Sequence, residues 1–377
     1  MTLRPLWITE NYPPDRGGMA QSCDRIVHAL RSRGVTVDVA HVSRRYAEWR
    51  VETKSGGRHI ECPSDDDVAH TLNRLWNVLS RQRNGLAPTH VVAFGGTLPI
   101  LAGPAYAAWL NCPLVTLIRG NDFDAAIFSP KRSDVLRQAI QSSATICTVT
   151  RDHAARIAAL IPGVRPEWIP NGVDARTWRL LPHDRAAAER WRSANVQAGR
   201  RVLGIFGQLK QKKGVQFFLE VLERSGCADR LHLMLVGDVE EDLLLWLTAH
   251  REQISATVLP FRDRLDLLPL FAACDAVVIP SFYDGLPNVV LEASALGVPL
   301  VASNAGGMAD VLVEGVNAIV FEAGDEHDCR RAIANVATCD GEALRSLGAK
   351  AQAVVLEHFT AEREAERYIN LLNGESS

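Results

Sequence analysis

Two carboxylates, Asp284 and Glu292, stand eight positions apart across a Gly-Leu-Pro turn in the stretch 281–292. Asp284 follows an apolar, strand-like run from Ala276 to Ile279, and Glu292 falls one to two turns into the helix predicted next. The first amides of that helix, at 288–290, would present the positive end of a helix dipole to the same edge of the sheet. Carboxylates suit sugar hydroxyls and helix N-termini suit phosphates. The stretch therefore predicts a site for a sugar attached to a phosphate.

A second glycine-rich loop follows soon after this stretch. Val298 to Ser303 reads as another buried strand, and Asn304-Ala305-Gly306-Gly307 leads from it towards a helix. A carboxylate pair at this spacing also occurs on ordinary surface loops. Two such loops after neighbouring strands, however, form the composite pocket in which α/β sheets bind ligands. The sequence therefore favours a binding site over a surface loop.

A run of lysines follows the first strand of the same half of the chain. Lys210, Lys212 and Lys213 fall within four positions, shortly after Gly207 and Gln208. Positive charge at this place would stabilise a departing diphosphate group. A solvated surface run is the alternative, and the strand–loop–helix context favours the phosphate site.

A glycine pair stands near the beginning of the sequence. Gly17 and Gly18 follow the strand pattern Leu6–Thr9 and open a helix, which suits close approach of a phosphate. A plain turn explains the pair equally well. The pattern is not G-x-G-x-x-G, so the dinucleotide fingerprint of a dehydrogenase is absent from its expected place.

The loop after the strand pattern Leu114–Ile118 is rich in polar residues. It begins with Arg119 and continues through Asn121, Asp122 and Asp124. The Arg119 guanidinium would bind an acceptor phosphate or carboxylate, or form a structural ion pair with one of the aspartates. The sequence leaves both roles open.

Short apolar strands alternate with amphipathic helices, which predicts an α/β fold with parallel sheets. The pattern starts again near Val202, so we expect two Rossmann-like lobes facing a central cleft. The turn Ile169–Asp174 is a candidate hinge or cleft wall, although a purely conformational role is favoured. The polar stretch Leu181–Arg200 is the candidate linker. Strand patterns cover Leu6–Thr9, Thr36–Val42, His90–Phe94, Leu114–Ile118, Thr145–Val149, Trp168–Ile169, Val202–Phe206, Leu231–Val236, Thr257–Leu259, Ala276–Ile279 and Leu300–Ala302. Helical patterns include Ala20–Arg33, Val68–Arg83, Arg151–Leu160, Glu342–Leu356 and Ala361–Leu372.

Composition places the 377 residues among ordinary globular proteins, with 47% hydrophobic and 23% charged residues. No apolar run approaches the ~18–20 residues that span a membrane, and residues 1–5 do not have the apolar character expected of a signal-peptide h-region. The chain is predicted to be cytoplasmic.

Eleven histidines show no metal-binding spacing, so no metal is expected. Eight scattered cysteines without a C-x-x-C pair indicate reduced thiols: Cys23, Cys62, Cys112, Cys147, Cys227, Cys274, Cys329 and Cys339.

Charge is unevenly divided along the chain. Residues 1–175 hold 20 Lys and Arg against 16 Asp and Glu, which gives +4, and the remainder holds 21 against 28, which gives −7. The basic half would suit an anionic acceptor or an acidic membrane surface. Ordinary solvated charge is the favoured explanation because no dense basic cluster occurs. Nothing further indicates nucleic acid, and the oligomeric state is left open.

Together these segments resemble the retaining glycosyltransferases of family 4, which have the two-lobed GT-B fold. The most specific part is Pro280 to Ser303, which is similar to the family's E-x7-E region. Ile169–Asp174 resembles its Pro-Asn-Gly-Val-Asp turn, and Val236-Gly237-Asp238 resembles its Val-Gly-Asp-Gly segment, with Val239 in place of the second glycine. The resemblance implies an acceptor-binding lobe over 1–175, joined by a returning helix within 359–377, and a donor-binding lobe over 176–358.

The resemblance also implies roles for individual donor-site residues. Glu292 would hold the ribose hydroxyls of the nucleotide, Asp284 the hydroxyls of the donor sugar, and Lys213 the diphosphate. The remaining donor-binding residues implied in this way are Gly18, Gln208, Gly285, Leu286, Asn288 and Val289. The catalytic residues would be Asp284, Lys213 and Arg119, and Arg119, Asn121 and Asp122 are the candidates for contacting the acceptor.

The implied reaction moves a sugar from a UDP- or GDP-sugar to a hydroxyl acceptor, with retention by a front-face mechanism and without a metal or other cofactor. The acceptor would be anionic or lipid-linked, and a lipid-linked acceptor would bring the enzyme to the cytoplasmic membrane face. The sequence does not identify the nucleotide base, the sugar or the acceptor.

Three substitutions depart from the family pattern. Asp284 stands where glutamate is usual, Gln208 replaces an arginine that binds diphosphate, and Arg119 replaces the histidine of a His-Gly pair. The changes at Gln208 and Asp284 leave a non-catalytic nucleotide-sugar binding protein as an alternative. A UDP-sugar 2-epimerase, which shares the fold, is a second alternative, although no convincing set of acid and base residues supports it.

Overall fold

The computed structural model describes residues 2–81 and 87–375. They form two compact units: unit 1 contains Met1–Asn171 and Ala361–Ser377, and unit 2 contains Gly172–Thr360. The sequence had placed these divisions after residue 175 and before residue 359. Each unit is a sheet flanked by helices. No helix in the described ranges is both long and apolar enough to cross a membrane.

Unit 1 is built on an eight-stranded sheet in the order β3-β4-β2-β1-β5-β6-β7-β8, which is parallel except for β3. Its strands are β1 (Pro5–Thr9), β2 (Asp38–Ser43), β3 (Arg50–Lys54), β4 (Gly57–Pro63), β5 (His90–Phe94), β6 (Leu114–Ile118), β7 (Thr145–Thr148) and β8 (Glu167–Trp168). Its helices are α1 (Gly18–Arg31), α2 (Val68–Arg81), α3 (Thr97–Leu110), α4 (Asn121–Asp124), α5 (Ser133–Ser142), α6 (Arg151–Leu160) and α14 (Ala361–Leu372). Positions 82 and 83 of the helix predicted over Val68–Arg83 lie outside the described residues.

The helix α14 returns to complete the core of unit 1, as the sequence predicts. Ala365, Tyr368 and Leu372 are buried in the cluster around Trp7 and Phe94. Helix α14 also contacts α1, where Arg25 Nε lies 2.9 Å from Glu364 Oε2. The Glu364 side chain is only 2% exposed, so this ion pair is nearly shielded from water.

The antiparallel hairpin β3–β4 occupies a region, 46–67, in which the sequence showed no interpretable pattern. Strand β3 is the edge strand, and its side chains are largely exposed and charged. Charged residues on an edge strand protect it from pairing with other chains, but they remove the apolar alternation by which a strand is recognised. Only β4 buries residues here, including Ile60 and Cys62.

A buried histidine on this hairpin makes the stability of unit 1 depend on pH. Burial, followed by the neighbouring Lys54 ammonium, lowers the pKa of His59 to about 4. Between this value and the ordinary value near 6.5, the unfolded chain takes up a proton that the folded chain does not, so stability falls as the pH falls. Between about pH 7.5 and about pH 5, this proton uptake lowers the unfolding free energy of the wild type by about 2 kcal/mol. We expect the variant His59→Gln to lack this part of the decrease, as measured by urea titration at the two pH values. His183→Gln, at a 75% exposed side chain, is the matched control, and a full wild-type loss in His59→Gln would contradict the prediction.

Unit 2 is built on a six-stranded parallel sheet in the order β11-β10-β9-β12-β13-β14. Its strands are β9 (Arg201–Leu209), β10 (Leu231–Val239), β11 (Ala256–Leu259), β12 (Ala276–Ile279), β13 (Leu300–Ser303) and β14 (Ile319–Phe321). Its helices are α7 (Pro182–Asn195), α8 (Val215–Glu223), α9 (Glu241–Ala249), α10 (Arg264–Ala273), α11 (Asn288–Ala295), α12 (Glu326–Thr338) and α13 (Gly341–His358). This strand order is that of a doubly wound Rossmann sheet, whose order reverses between β9 and β12.

The prediction that Leu181–Arg200 is a linker is wrong. Most of this stretch forms α7, which packs against α10 inside unit 2. Ala188 is buried, Trp191 packs beside it, and Arg192 Nη1 lies 2.9 Å from Asp275 Oδ2. Only a narrow stripe of this helix is buried, and most of its other residues are polar. Its mean hydropathy therefore resembles that of a linker. The chain passes between the units at Asn171 and Gly172, within the predicted hinge turn.

Candidate active site

Two loops of unit 2 meet where the strand order reverses. One follows β9 and contains a short 3₁₀ turn at Gln211–Lys213, and the other follows β12 and leads to Asp284. The backbone N–H of Phe282 donates to the carbonyl of Lys212 at 3.0 Å. Gly214, with φ of +63°, lies so close to the Pro280 carbonyl that a Cβ would overlap it. The two loops are therefore held together by their backbones, at the place where α/β sheets bind ligands.

The Asp284 carboxylate is the charged centre of this junction. Lys213 Nζ donates to Asp284 Oδ2, and Lys212 Nζ lies 3.7 Å from Oδ1. The backbone N–H of Gly285 also donates to Oδ1, at 3.0 Å. Burial raises the pKa of Asp284, but the ammonium groups of Lys213 and Lys212 lower it by more than burial raises it. The pKa of Asp284 therefore lies below its ordinary value. The predicted sugar-binding carboxylate and the predicted diphosphate-binding lysine thus form an ion pair.

The loop after β13 contacts the backbone of the Asp284 loop. The backbone N–H of Gly307 donates to the Gly285 carbonyl at 2.9 Å. Gly306 has φ of +53°, and a Cβ at this position would overlap the Asp284 carbonyl oxygen. The segment after Ala305 is a short 3₁₀ turn, not the start of an α-helix as the sequence predicts. This loop therefore fixes the backbone of the Asp284 loop.

Helix α11 opens from the same junction. It begins at Asn288, and its first turn contains no acidic residue, so its dipole is not offset there by a local carboxylate. Leu286 is buried, whereas Asn288, Val289 and Glu292 are half-buried. This geometry can hold an anion near the helix N-terminus and sugar hydroxyls near the carboxylates.

Gln208 lies near the end of β9, beside Asp238 of β10 in the strand register. Its side chain is exposed. The described contacts of Asp284 involve Lys212 and Lys213, not Gln208. A role for Gln208 in donor binding stays a prediction.

In unit 1 the corresponding reversal of strand order lies between β1 and β5. Gly18 opens α1 after Gly17, whose φ is +115°. A second glycine pair, at 95–96, follows β5, and the sequence analysis missed it although it too joins a strand to a helix. The N-terminus of α3 is occupied by Glu10, whose Oε2 accepts from the Leu98 N–H at 2.9 Å, and burial raises the pKa of this carboxyl group.

The Arg119 side chain is directed into unit 1. Its guanidinium donates to Asn171 Oδ1, donates to Tyr368 Oη at 3.2 Å, and lies 4.9 Å from the centroid of the Phe94 ring. Arg119 is only 8% exposed. The guanidinium therefore connects the end of β6 to Asn171 and to α14. Contact with an acceptor stays a prediction.

The two aspartates offered as ion-pair partners of Arg119 have other roles. Asp122 accepts from the backbone N–H groups of Arg119, at 2.8 Å, and Gly120, at 2.6 Å. Burial raises the pKa of Asp122 despite these amides. Asp124 contacts His153 Nε2 at 3.0 Å. Neither described contact of an aspartate is with the guanidinium, and Asn121 is exposed at the start of α4.

A prediction separates the two roles of Arg119. We expect Arg119→Met to lower the unfolding free energy by about 2–4 kcal/mol, because it removes the buried hydrogen bonds of the guanidinium to Asn171 and Tyr368. Arg156→Met, at a 57% exposed side chain, is the control and should change it by less than about 0.5 kcal/mol. Urea titration measures both values. Unchanged stability together with a raised KM for the acceptor would instead assign the guanidinium to acceptor binding.

One group of three potential metal ligands occurs in the described parts of the chain, on the β3–β4 hairpin. It consists of Glu52, His59 and Glu61. The Lys54 ammonium already lies 3.5 Å from Glu52 Oε2 and 3.4 Å from His59 Nδ1. The Lys54 ammonium therefore already provides a positive charge beside this group, and the Asp284 loop is in the other unit.

Comparison with known proteins agrees with this geometry. The family model described as "Glycosyltransferase Family 4" matches residues 16–177, and that described as "Glycosyl transferases group 1" matches residues 200–338. The chain is 25% identical to D-inositol 3-phosphate glycosyltransferase of Corynebacterium jeikeium, over 86% of this chain and 84% of that protein. It is 28% identical to 2-deoxystreptamine N-acetyl-D-glucosaminyltransferase of Streptomyces fradiae, over 74% and 70% of the two chains.

Solved structures resemble the chain over nearly its whole length. Sucrose-phosphate synthase of Thermosynechococcus elongatus has a TM-score of 0.83 at 16% identity, covering 99% of this chain and 98% of that chain. Anabaena HepE in complex with UDP-glucose has a TM-score of 0.75 at 18% identity, covering 99% and 100%. The two matched family models, the paired Rossmann sheets and these relatives lead to one conclusion: the chain is an enzyme of glycosyltransferase family 4, with the two-lobed GT-B fold.

Proposed function

We propose that this glycosyltransferase transfers a sugar from a UDP- or GDP-sugar to a hydroxyl acceptor with retention of anomeric configuration. The observation that carries the proposal is the ion pair between Lys213 and Asp284 at the reversal point of the unit 2 sheet. A diphosphate would take the ammonium of Lys213 and release the carboxylate for sugar hydroxyls. In the donor complex, two contacts thus replace the Lys213–Asp284 ion pair: Lys213 contacts the diphosphate and Asp284 contacts the sugar hydroxyls.

The proposed chemistry needs no protein nucleophile. The bond between the anomeric carbon and the phosphate oxygen breaks, and the acceptor oxygen forms its bond on the same face of the sugar. The acceptor proton passes to the departing phosphate oxygen. Lys213 and the N-terminus of α11 stabilise the negative charge that develops on the diphosphate. Positive charge from these groups takes the place of a metal ion in the proposal, and Glu292 holds the nucleotide ribose.

The nucleotide preference rests on similarity. The structure of HepE in complex with UDP-glucose supports a uridine donor for this chain. Gln208 lacks the fixed charge of the arginine that the family resemblance implies here, so Lys212 is the residue proposed to supply the second positive charge. The acceptor is proposed to be a hydroxyl compound that unit 1 binds.

The test is a donor panel of UDP-, GDP-, ADP- and dTDP-sugars, with nucleotide release and thermal stabilisation measured on the same protein. We expect one UDP- or GDP-sugar to stabilise the protein and to be slowly hydrolysed, also in the presence of a chelator. Glu292→Ala should lose the stabilisation. The anomeric configuration of a product, read by NMR, tests retention. Stabilisation only by ADP- or dTDP-sugars, or an inverted product, would overturn the proposal.

A further inference from the structure

Helix α3, at the surface of unit 1, contains no charged residue. Residues 91–118, which include all of α3, contain no Asp, Glu, Lys or Arg. The exposed positions of α3 include Leu101, Ala105 and Ala108, and Leu101 is 40% exposed. Surface helices of globular proteins ordinarily place charged residues on this face. Helix α3 therefore presents an apolar stripe to its surroundings.

A groove of about 410 Å³ runs beside this stripe. It lies between α3 and α5, and its lining is apolar except for one amide side chain: Ile100, Leu101, Pro104, Ala105, Val135 and Gln138. The groove extends the exposed apolar surface of α3 across to the neighbouring helix.

An exposed aromatic ring adjoins the same helices. Phe128, in the segment between α4 and α5, is 88% exposed. Its chain neighbour Ile127 packs against the cluster that contains Ile100 of α3, so the segment that carries the ring lies on the same side of the sheet as α3. A single exposed apolar residue is unremarkable. Here the ring, the stripe and the groove share one side of the sheet.

Basic side chains border this apolar surface. The segment 125–138 contains Lys131, Arg132 and Arg137 against one acidic residue, Asp134, so three positive charges minus one negative charge give +2 in a chain whose net charge is −3. Lys131 is exposed and the two arginines are half-buried.

We propose that these residues, here named the α3–α5 patch (Leu101, Ala105, Phe128, Lys131, Arg132 and Arg137), dock unit 1 onto a bilayer surface that contains anionic lipids. Phe128 and Leu101 enter the boundary between headgroups and acyl chains, and the three cations contact lipid phosphates. Apolar area together with a basic border is the combination that binds an interface reversibly. The proposal does not depend on the identity of the donor or acceptor.

Sedimentation of the full chain with extruded vesicles tests the proposal. One set of vesicles is phosphatidylcholine, and the other is phosphatidylcholine mixed with phosphatidylglycerol. We expect binding to the mixed vesicles that salt weakens. Phe128→Ala should weaken it about tenfold through the lost apolar area, and Lys131→Gln with Arg132→Gln roughly twentyfold through the lost charge.

Matched variants in unit 2 control for exposure and charge. Leu265→Ala replaces a 71% exposed apolar residue, and Arg345→Gln with Lys350→Gln removes two charges from α13. Both should bind vesicles as the wild type does. Absent binding, equal binding to both vesicle types, or equal losses in the controls would overturn the proposal. So would a dimer, seen by light scattering, that Phe128→Ala dissociates, since the patch would then contact a second copy.

Discussion

Replacing Lys213 with alanine should lower turnover of the donor by about a hundredfold to a thousandfold, the loss typical for one preorganised charge at a developing anion. Lys213 is the nearest cation to Asp284 in the described junction. Stability should change little, because Lys212 Nζ remains 3.7 Å from Asp284 Oδ1 and keeps the carboxylate paired. The measurements are kcat and KM with the donor found in the panel, together with the thermal midpoint.

The comparison variant for this prediction is Lys210→Ala. Lys210 is exposed in the same loop, and its backbone N–H donates to the Gln208 carbonyl at 3.0 Å. It should lose much less turnover than Lys213→Ala. If Lys213→Ala keeps wild-type kcat while Lys210→Ala loses it, Lys210 binds the diphosphate and the role given to Lys213 is wrong. Equal losses in the thermal midpoint and in kcat would point to misfolding of the loop.

Replacing Gly306 with alanine should destabilise unit 2 by about 4 kcal/mol, a large value for a single methyl group. An L-residue at a positive φ costs about 1–2 kcal/mol. The remainder comes from overlap of the new Cβ with the Asp284 carbonyl oxygen, which forces one of the two loops to move. Donor binding should fall as well, because the Asp284 backbone is displaced. Urea titration and thermal shift with donor measure the two effects.

Gly315→Ala is a closely matched control for this prediction. Gly315 also has a positive φ, +68°, but a Cβ there would meet no atom within 4 Å. It should therefore lose only the conformational part, about 1–2 kcal/mol, and bind donor normally. Equal losses in the two variants would mean that the contact between the two glycine-rich loops has no separate effect.

Strand patterns in the sequence predicted the fold well because parallel strands buried on both faces are nearly continuous apolar runs. His90–Phe94, Leu114–Ile118 and Ala276–Ile279 have the bounds expected. Prediction failed in two elements that bury few side chains. Strand β3 is charged because it is an edge, and α7 buries too narrow a stripe to be distinguished from a linker.

The candidate site was predictable only as a set of loops. Topology requires that the loops after β9 and β12 lie together, which follows from the strand pattern. The choice of Lys213 and Lys212 over Lys210 as neighbours of Asp284 depends on the 3₁₀ turn and on side-chain rotamers, which the sequence does not specify. The direction of Arg119 was hidden for a related reason, since its partner Tyr368 is far away along the chain.

The return of α14 to unit 1 imposes an order on biosynthesis. Unit 2 is a continuous stretch, Gly172–Thr360, and can complete its core as soon as that stretch leaves the ribosome. Unit 1 is synthesised first, yet it lacks Ala365, Tyr368 and Leu372 until α14 has emerged. The lobe made first is thus the lobe that matures last. Until then, the apolar surface around Trp7 and Phe94 stays open to the chaperones that meet nascent chains.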